Sequence, residues 1–255
     1  MNPTISVIMP CYNRADLIRK SISSVLDQTY KDFELIVVDD GSTDNSLKVI
    51  GSIKDSRIKV ISQENKGPSA ARNTGIKNAR GKYIAFLDSD DNWDKTFLEK
   101  MHSALKSDPD AALVYCGWQN IGNVPKEKAI PFVPPDYEKK ENKIELFLQG
   151  CRWPIHAALT RKKLIDKAGH FDEDLLIAED YLLWLKIASF NKIILVPEVL
   201  AYYYFHENVH VMADKKRKIN DVLLAKKKFL KKNPKLIKQI GKKRINELLQ
   251  NAKSK

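Results

Sequence analysis

An apolar run from Ile84 to Leu87 ends in Asp88-Ser89-Asp90-Asp91, and a second run, "ELIVV", ends in Asp39-Asp40. Carboxylates this close repel and raise one another's pKa, so a cation is expected to hold them. Mg2+ or Mn2+ suits the pattern. Both prefer oxygen ligands, and often take one or two carboxylates while a substrate diphosphate supplies others. An Asp-x-Asp where a buried strand surfaces is enough protein ligand for that. The plainer role of such clusters is structural, because Asp and Asn make turns and cap helices. One cluster alone fits that role; two, at the ends of two separate strands, favour a ligand site.

Two other site types share part of the pattern. In a calcium loop of the EF-hand kind, Asp88, Asp90, Asn92 and Glu99 would fall at positions 1, 3, 5 and 12. Trp93 then stands at the sixth position, where the sharp turn needs glycine, and a strand rather than a helix leads in, so this reading is rejected. A strand followed by Asp-x-Asp is also found in haloacid-dehalogenase-like phosphotransferases. Asn92 replaces their usual Thr or Val, which leaves that reading as a weaker enzyme alternative.

The carboxylates need a scaffold that brings two strand ends together. "TISVIMP", "FELIVVDD", "RIKVISQE" and "YIAFLDS" read as strands. Helical spacing follows each one: "RADLIRKSISSVLDQT", "STDNSLKVIGSI" with Ser42 or Thr43 as its cap, "GPSAARNTGIKNA", and "KTFLEKMHSAL". Val/Ile-rich strands alternating with helices predict an α/β fold, with a mostly parallel sheet covered on both faces. Ligands of such sheets sit at the carboxyl ends of the strands, where Asp39-Asp40 and Asp88-Ser89-Asp90 lie. Further along, "AALVYCGWQNIG" and "VLAYYYFH" read as strands, with a proline-containing loop at 122–142. From Lys215 two amphipathic helices are expected, interrupted by Pro234.

Composition limits the classes of function. The 255 residues are 43% hydrophobic, enough for a sizeable core, and no apolar run has the length of a membrane span. The N-terminus lacks the basic and apolar regions of a signal peptide. Three scattered cysteines, Cys11, Cys116 and Cys151, predict reduced thiols and a cytoplasmic location. The net charge of +12 is unevenly placed: residues 214–255 carry 16 Lys/Arg against 3 Asp/Glu, a net +13, and the remainder 28 against 29, a net −1. A near-neutral body with a basic tail points to an anionic partner. The tail's stripe lacks the aromatic interleaving of single-strand binders, which disfavours nucleic acid and leaves two roles open, docking on the body or contact with anionic lipid at the inner face of the cell membrane.

Five segments, "SVIMPCYNR", "ELIVVDDGSTD", "NKGPSAARNTGI", "YIAFLDSDD" and "AEDYLLWLKIA", occur in an order and spacing that resemble family-two inverting glycosyltransferases, over roughly residues 4–206. The resemblance implies the GT-A fold, a Rossmann-like sheet flanked by helices, here with a C-terminal helical tail. It implies a nucleotide-sugar half at 1–110, an acceptor half with the catalytic base at 111–213, and the basic tail at 214–255. It further implies Mn2+ or Mg2+, a nucleotide-sugar donor with UDP the expected carrier, and transfer of one sugar to a sugar or lipid-linked acceptor in polysaccharide or glycolipid assembly.

The resemblance also implies roles for individual residues. Tyr12 stacks on the base, with Pro10 and Asn13 shaping its pocket. Asp40 hydrogen-bonds the base, with Asp39 sharing contacts. Arg72 approaches the nucleotide or its diphosphate, Asp88 and Ser89 the ribose or sugar. Asp90 holds the metal, and His206 reaches the metal or diphosphate from the other side. Asp180 is the base, Glu179 its neighbour, and Trp153 and His156 line the acceptor site. Plainer roles compete: Tyr12, Trp153 and His156 could pack, Arg72 could be a surface cation, and His206 a satisfied surface histidine. Gln149, Arg152 and Trp153 spell a word of processive synthases, but it precedes Asp180 by about thirty residues instead of following it and is discounted. A non-catalytic membrane- or nucleic-acid-binding protein on a decayed transferase scaffold is the non-enzymatic alternative, and the intact Asp90 and Asp180 argue against it.

Overall fold

The computed structural model describes residues 2–205 and 215–250. Strands β1 (Ile5–Cys11) and β2 (Phe33–Asp39) are buried at every position, as their near-continuous Val/Ile content requires. They are joined through α1 (Ile18–Leu26). After α2 (Ser46–Gly51) comes β3 (Ile58–Ser62), an edge strand with Val60 exposed. Helix α3 (Pro68–Asn78) leads to β4 (Tyr83–Phe86). The short β5 (Asn92–Trp93) and α4 (Phe97–Ser107) precede the long β6 (Ala111–Gly122). The second half adds α5 (Lys143–Gln149), β7 (Ala158–Arg161), α6 (Lys162–Ala168), α7 (Glu179–Ala188) and β8 (Lys192–Phe205).

The eight strands of the described residues form one sheet in the order β3-β2-β1-β4-β7-β6-β8-β5. β3, β2, β1 and β4 are mutually parallel, so their carboxyl ends lie along one edge. β7 runs antiparallel between β4 and β6, and β6 pairs parallel with β8. The second half of the chain therefore continues the sheet of the first. One hydrophobic cluster runs through both, from Ile5 to Leu185 and Leu200. Gly75 sets how closely α3 lies on β1, since a Cβ there would stand 2.4 Å from Ile8 Cγ2. That approach carries Arg72, three residues earlier on α3, over the end of β4.

The basic tail forms three helices instead of two: α8 (Lys215–Lys232), α9 (Pro234–Ile240) and α10 (Lys242–Gln250). Besides Pro234, Gly241 breaks the pattern, taking a left-handed φ of 91° that other residues avoid. The apolar stripe is docked. Phe229, Leu230, Leu236, Ile245 and Leu248 are all buried in the body's core. The expected cap of α2 also differs. Asn45 occupies the N-cap position, and Asp44 Oδ1 accepts from the Ser46 N–H at 2.8 Å. Ser42 and Thr43 are used elsewhere, against Asn13. All three cysteines are free thiols. Among the described residues no helix is long and apolar enough to cross a membrane.

Candidate active site

The carboxyl ends of β1 and β2 form a cradle. Tyr12, just past β1, is 45% exposed, which leaves its ring face available to a ligand. Pro10 is buried in the strand opposite Val38. Asn13 takes a left-handed φ of 51°. Its Oδ1 accepts from the Thr43 N–H at 2.8 Å, and its own N–H donates to Ser42 Oγ at 3.0 Å. Asn13 thus ties the turn after β1 to the loop after β2 and fixes the floor below Tyr12.

The two aspartates ending β2 have different surroundings. Asp40 is consumed by the protein. Its Oδ1 accepts from Gln63 Nε2 at 2.8 Å and Lys66 N at 3.0 Å, and its Oδ2 from Gly67 N at 2.8 Å. Those bonds hold the loop that leads into α3, and they leave Asp40 badly placed to bind a base as well. Asp39 is equally buried, yet its Oδ1 has no hydrogen-bond partner among the described residues. A buried carboxylate oxygen without a partner is costly unless a ligand supplies a donor.

The turn after β4 closes through the Asp91 N–H on the Asp88 carbonyl at 3.0 Å. Each of its three carboxylates faces a basic side chain. Asp88 Oδ1 accepts from Arg72 Nη2 at 2.7 Å. Asp90 Oδ2 lies 3.1 Å from Arg14 Nε. Asp91 Oδ2 lies 2.9 Å from His156 Nδ1, a close ion pair without the alignment of a good hydrogen bond. Burial pushes the Asp91 carboxyl up to about 6, with His156 opposing. Burial works against the His156 imidazolium, but the Asp91 charge outweighs it and raises the imidazole. Ser89 sits buried within the turn.

Among the described residues no group of three His, Cys, Asp or Glu side chains gathers as a ready metal site. Asp88 and Asp90 still fit Mg2+ or Mn2+ by donor type, since these ions need only one or two carboxylates beside phosphate oxygens. Asp90 would be the ligand of choice, because Asp88 is tied to the buried Arg72. His206 lies outside the described residues.

Arg72 joins the turn after β4 to the second half of the chain. It is 4% exposed, and its Nη1 donates to Glu179 Oε1 at 2.7 Å while Nη2 holds Asp88. Despite burial, these two carboxylates raise its pKa further, so it is a permanent cation. Glu179 and Asp180 open α7 directly after Ala178, which adopts a left-handed φ of 74°. That unusual conformation for alanine turns the chain sharply and aims the acidic pair toward the turn after β4. Asp180 Oδ1 accepts from the Tyr181 N–H at 2.6 Å. Burial pushes Glu179 up to about 7, with Arg72 opposing and Asp180 adding to the rise. Burial likewise raises Asp180 against the pull of Arg72. The tail braces this region from behind: Asp221 Oδ2 accepts from the Ile177 N–H at 3.0 Å, and Lys228 pairs with Asp172 and Asp174.

Tyr12, Asp39, Asp88, Asp90, Arg72, Glu179 and Asp180 therefore meet around the carboxyl ends of β1, β2 and β4. Trp153 and His156 do not offer an acceptor wall. Trp153 is 3% exposed and stacks on Tyr115 at 4.3 Å, and His156 is fully buried against Asp91. Arg14 was missed from the sequence, and Asp91, though counted among the clustered carboxylates, was given no role of its own. Both stand inside quoted segments, Arg14 at the end of "SVIMPCYNR" and Asp91 as the last residue of "DSDD". That position was the one available signal.

A parallel α/β sheet with an acidic turn after β4, an open cradle after β1 and β2, and an acidic helix start facing them defines the GT-A class of α/β protein. The chain belongs to glycosyl transferase family 2, whose profile it matches over residues 6–167. An uncharacterized glycosyltransferase of Rickettsia typhi is 36% identical over 81% of this chain and 65% of its own length. The chain thus spans about two thirds of that relative. WfgD of Escherichia coli, named a UDP-Glc:alpha-D-GlcNAc-diphosphoundecaprenol beta-1,3-glucosyltransferase, is 38% identical over 74% of this chain and 71% of its own. Among solved structures, S. aureus TarS 1-349 in complex with UDP-GlcNAc superposes with a TM-score of 0.73 at 23% identity, over 90% of this chain and 67% of that one. The mannosyltransferase PcManGT of Pyrobaculum calidifontis, in complex with GDP-Man and Mn2+, gives a TM-score of 0.67 at 20% identity, over 100% of this chain and 74% of that one. At these identities the two structures speak to the fold.

Proposed function

We propose that the protein is an inverting, metal-dependent glycosyltransferase that moves one sugar from a UDP-linked donor to an acceptor hydroxyl in cell-surface polysaccharide or glycolipid assembly. The observation that carries this reading is Arg72, which bridges Asp88 to Glu179 and so couples a donor-side carboxylate to the acidic pair that holds the base. Family membership removes the support for a haloacid-dehalogenase-like reaction.

In this reading the base stacks on Tyr12, and Asp39 Oδ1 accepts one of its N–H groups. This reverses the expected order of Asp39 and Asp40, because three protein donors already occupy the Asp40 carboxylate. Asp88 and Ser89 border the sugar. A divalent ion held by Asp90 supplies neutralisation of the charge that develops on the departing diphosphate. Asp180 takes the proton of the acceptor hydroxyl as that oxygen attacks the anomeric carbon and the carbon–oxygen bond to the diphosphate breaks. One displacement inverts the anomeric configuration. Arg72 keeps Glu179 and Asp88 oriented, and its charge limits how far the Asp180 carboxyl rises.

The WfgD relative takes UDP-Glc and a diphosphoundecaprenol-linked acceptor by its name, which supports a UDP donor and a lipid-linked acceptor here. An acceptor of that kind places the enzyme at the inner face of the membrane, with the lysine-rich outer face of the tail against anionic lipid.

The test pairs binding with turnover. Binding of UDP-Glc, UDP-GlcNAc and GDP-Man is measured by calorimetry with and without Mn2+, and transfer to a lipid-linked sugar acceptor is followed with the donor that binds. Asp180→Asn should slow transfer by about 10²-fold or more, the scale of a positioned general base, and change donor affinity little. Turnover that survives while donor binding collapses would place Asp180 in the donor site and refute the assignment.

A further inference from the structure

Among the described residues, Arg14 is a cation of the site whose side chain stands open to solvent. Its main chain is fixed: the N–H donates to Ser46 Oγ at 2.8 Å, and the carbonyl accepts from Leu17 N at 3.0 Å and Ile18 N at 2.9 Å. Its side chain is not enclosed, with 41% exposure against 5% for the side chain of Arg72. The guanidinium reaches from one side of the site to the other. Nη1 donates to the carbonyls of Asn13 at 3.1 Å and Tyr12 at 3.4 Å, while Nε reaches Asp90 Oδ2 at 3.1 Å. A nucleoside diphosphate with its base on Tyr12 and its phosphates toward Asp90 must run along that span.

We infer that Arg14 is an exchangeable counter-cation: it pairs with Asp90 in the absence of metal, yields that carboxylate to the metal, and then binds the donor's diphosphate. This rests on the metal-dependent reading above. The chemistry favours the exchange. The pair is open on its arginine side, with Arg14 41% and Asp90 16% exposed, and such a half-open pair is weaker than the sealed ones beside it, so a divalent ion can displace the guanidinium from Asp90. The released guanidinium keeps its charge, and its planar fork matches phosphate oxygens better than a single carboxylate edge. Arg72 cannot serve this way, because it is buried and committed to two carboxylates. One consequence is that metal and donor favour each other: metal frees Arg14 for the phosphates, and phosphates keep Arg14 away from Asp90.

The experiment uses the full chain and two probes that need no acceptor. Mn2+ binding alone is measured by electron paramagnetic resonance for the wild type, Arg14→Ala and Asp90→Asn. Inorganic pyrophosphate, which carries the diphosphate without a base, is then titrated at saturating Mn2+. Arg14→Ala should bind Mn2+ alone about threefold more tightly, because the competing exposed pair is gone. The same variant should bind pyrophosphate about tenfold more weakly, because charge-assisted hydrogen bonds are lost. Mn2+ affinity that is unchanged or weaker in Arg14→Ala, or pyrophosphate affinity equal to the wild type, overturns the proposal. Asp90→Asn separates the two layers. If it binds Mn2+ like the wild type, Asp90 is no metal ligand and the underlying reading fails. If it loses Mn2+ while Arg14→Ala matches the wild type, only the role of Arg14 fails.

Discussion

Replacing Arg72 by Met removes one charge from between two carboxylates, and two measurable quantities should move together. Asp88 and Glu179 each lie 2.7 Å from a separate guanidinium nitrogen, and Arg72 is nearly enclosed. Breaking a buried ion pair by deleting one partner typically costs about 3–5 kcal/mol, because the remaining charge is left uncompensated. Part of that loss is relieved when the orphaned carboxylates take up protons. The sign follows. An adjacent arginine holds a carboxylate's pKa down by about 1–3 units, so its removal lets Glu179 and Asp180 rise by a similar amount. Glu179 already stands at about 7. The base is active only when deprotonated, so the acid limb of the kcat profile should move to higher pH by about one unit or more in Arg72→Met. Arg72→Lys should lie between, since one ammonium keeps the charge but lacks the fork that reaches both partners. The assays are urea unfolding at fixed pH and kcat from pH 5 to 9. A stability loss below about 1 kcal/mol together with an unmoved acid limb would show that Arg72 couples neither group, and would refute the reasoning.

Asp39→Asn should lower nucleotide affinity with little change in the urea midpoint, whereas Asp40→Asn should destabilise the fold by about 1–3 kcal/mol, because the amide keeps one acceptor oxygen but turns an NH2 toward the donors on the other side, Gly67 N or the Gln63 and Lys66 pair; the opposite pattern would restore Asp40 as the base contact. Lys226 is 1% exposed, donates to the Leu248 carbonyl at 2.9 Å, and is pushed down to about 8 by burial. Between roughly pH 8 and 10.5 the unfolded chain binds more protons than the folded one, so stability should rise with pH across that window and Lys226→Met should flatten the rise in urea midpoints. For the tail, the combined Lys227→Ala, Lys231→Ala, Lys235→Ala and Lys238→Ala variant should lose sedimentation with anionic liposomes at low salt, each exposed lysine being worth about 1 kcal/mol near such a surface; equal partitioning onto neutral and anionic vesicles would count against membrane recruitment.

The strands of the first half were legible because a fully buried parallel strand has no polar positions to blur its pattern. β1, β2 and β4 coincide with their apolar runs to within a residue or two. Helix α7 escaped a periodicity reading for the converse reason. "EDYLLWLKIA" is buried on nearly all sides, so no polar face marks it as helical. The tail was legible as helices but not as docked ones, since an apolar stripe looks the same whether it faces a protein or a bilayer. The structure decides between these by burial. Five large side chains, from Phe229 to Leu248, would have to leave the core. At roughly 2 kcal/mol each, peeling the tail away costs on the order of 10 kcal/mol. Any membrane contact therefore belongs to the outer lysines. Of the site, residue types and order were readable, and partners were not. Nothing local to "VVDD" tells Asp39 from Asp40, because the difference lies in Gln63, Lys66 and Gly67, over twenty residues away.

The partners of the acidic turn explain how three carboxylates can crowd one strand end. Each meets a basic side chain from a different part of the chain: Arg72 from α3, Arg14 from the turn after β1, and His156 from the segment before β7. The three links differ in burial, and burial sets what each can do. Asp91–His156 is sealed, with both side chains about 1% exposed, so it holds the turn against the second half and cannot open without great cost. Asp88–Arg72 is sealed on the arginine side only, so the carboxylate is oriented while one edge remains open to a ligand. Asp90–Arg14 is the most open on its cation side, which makes it the link most easily exchanged. A rigid, a half-open and an exchangeable pair succeed one another within four residues. In the proposed exchange, that gradient lets the turn keep its shape while a single carboxylate passes from an arginine to a metal ion.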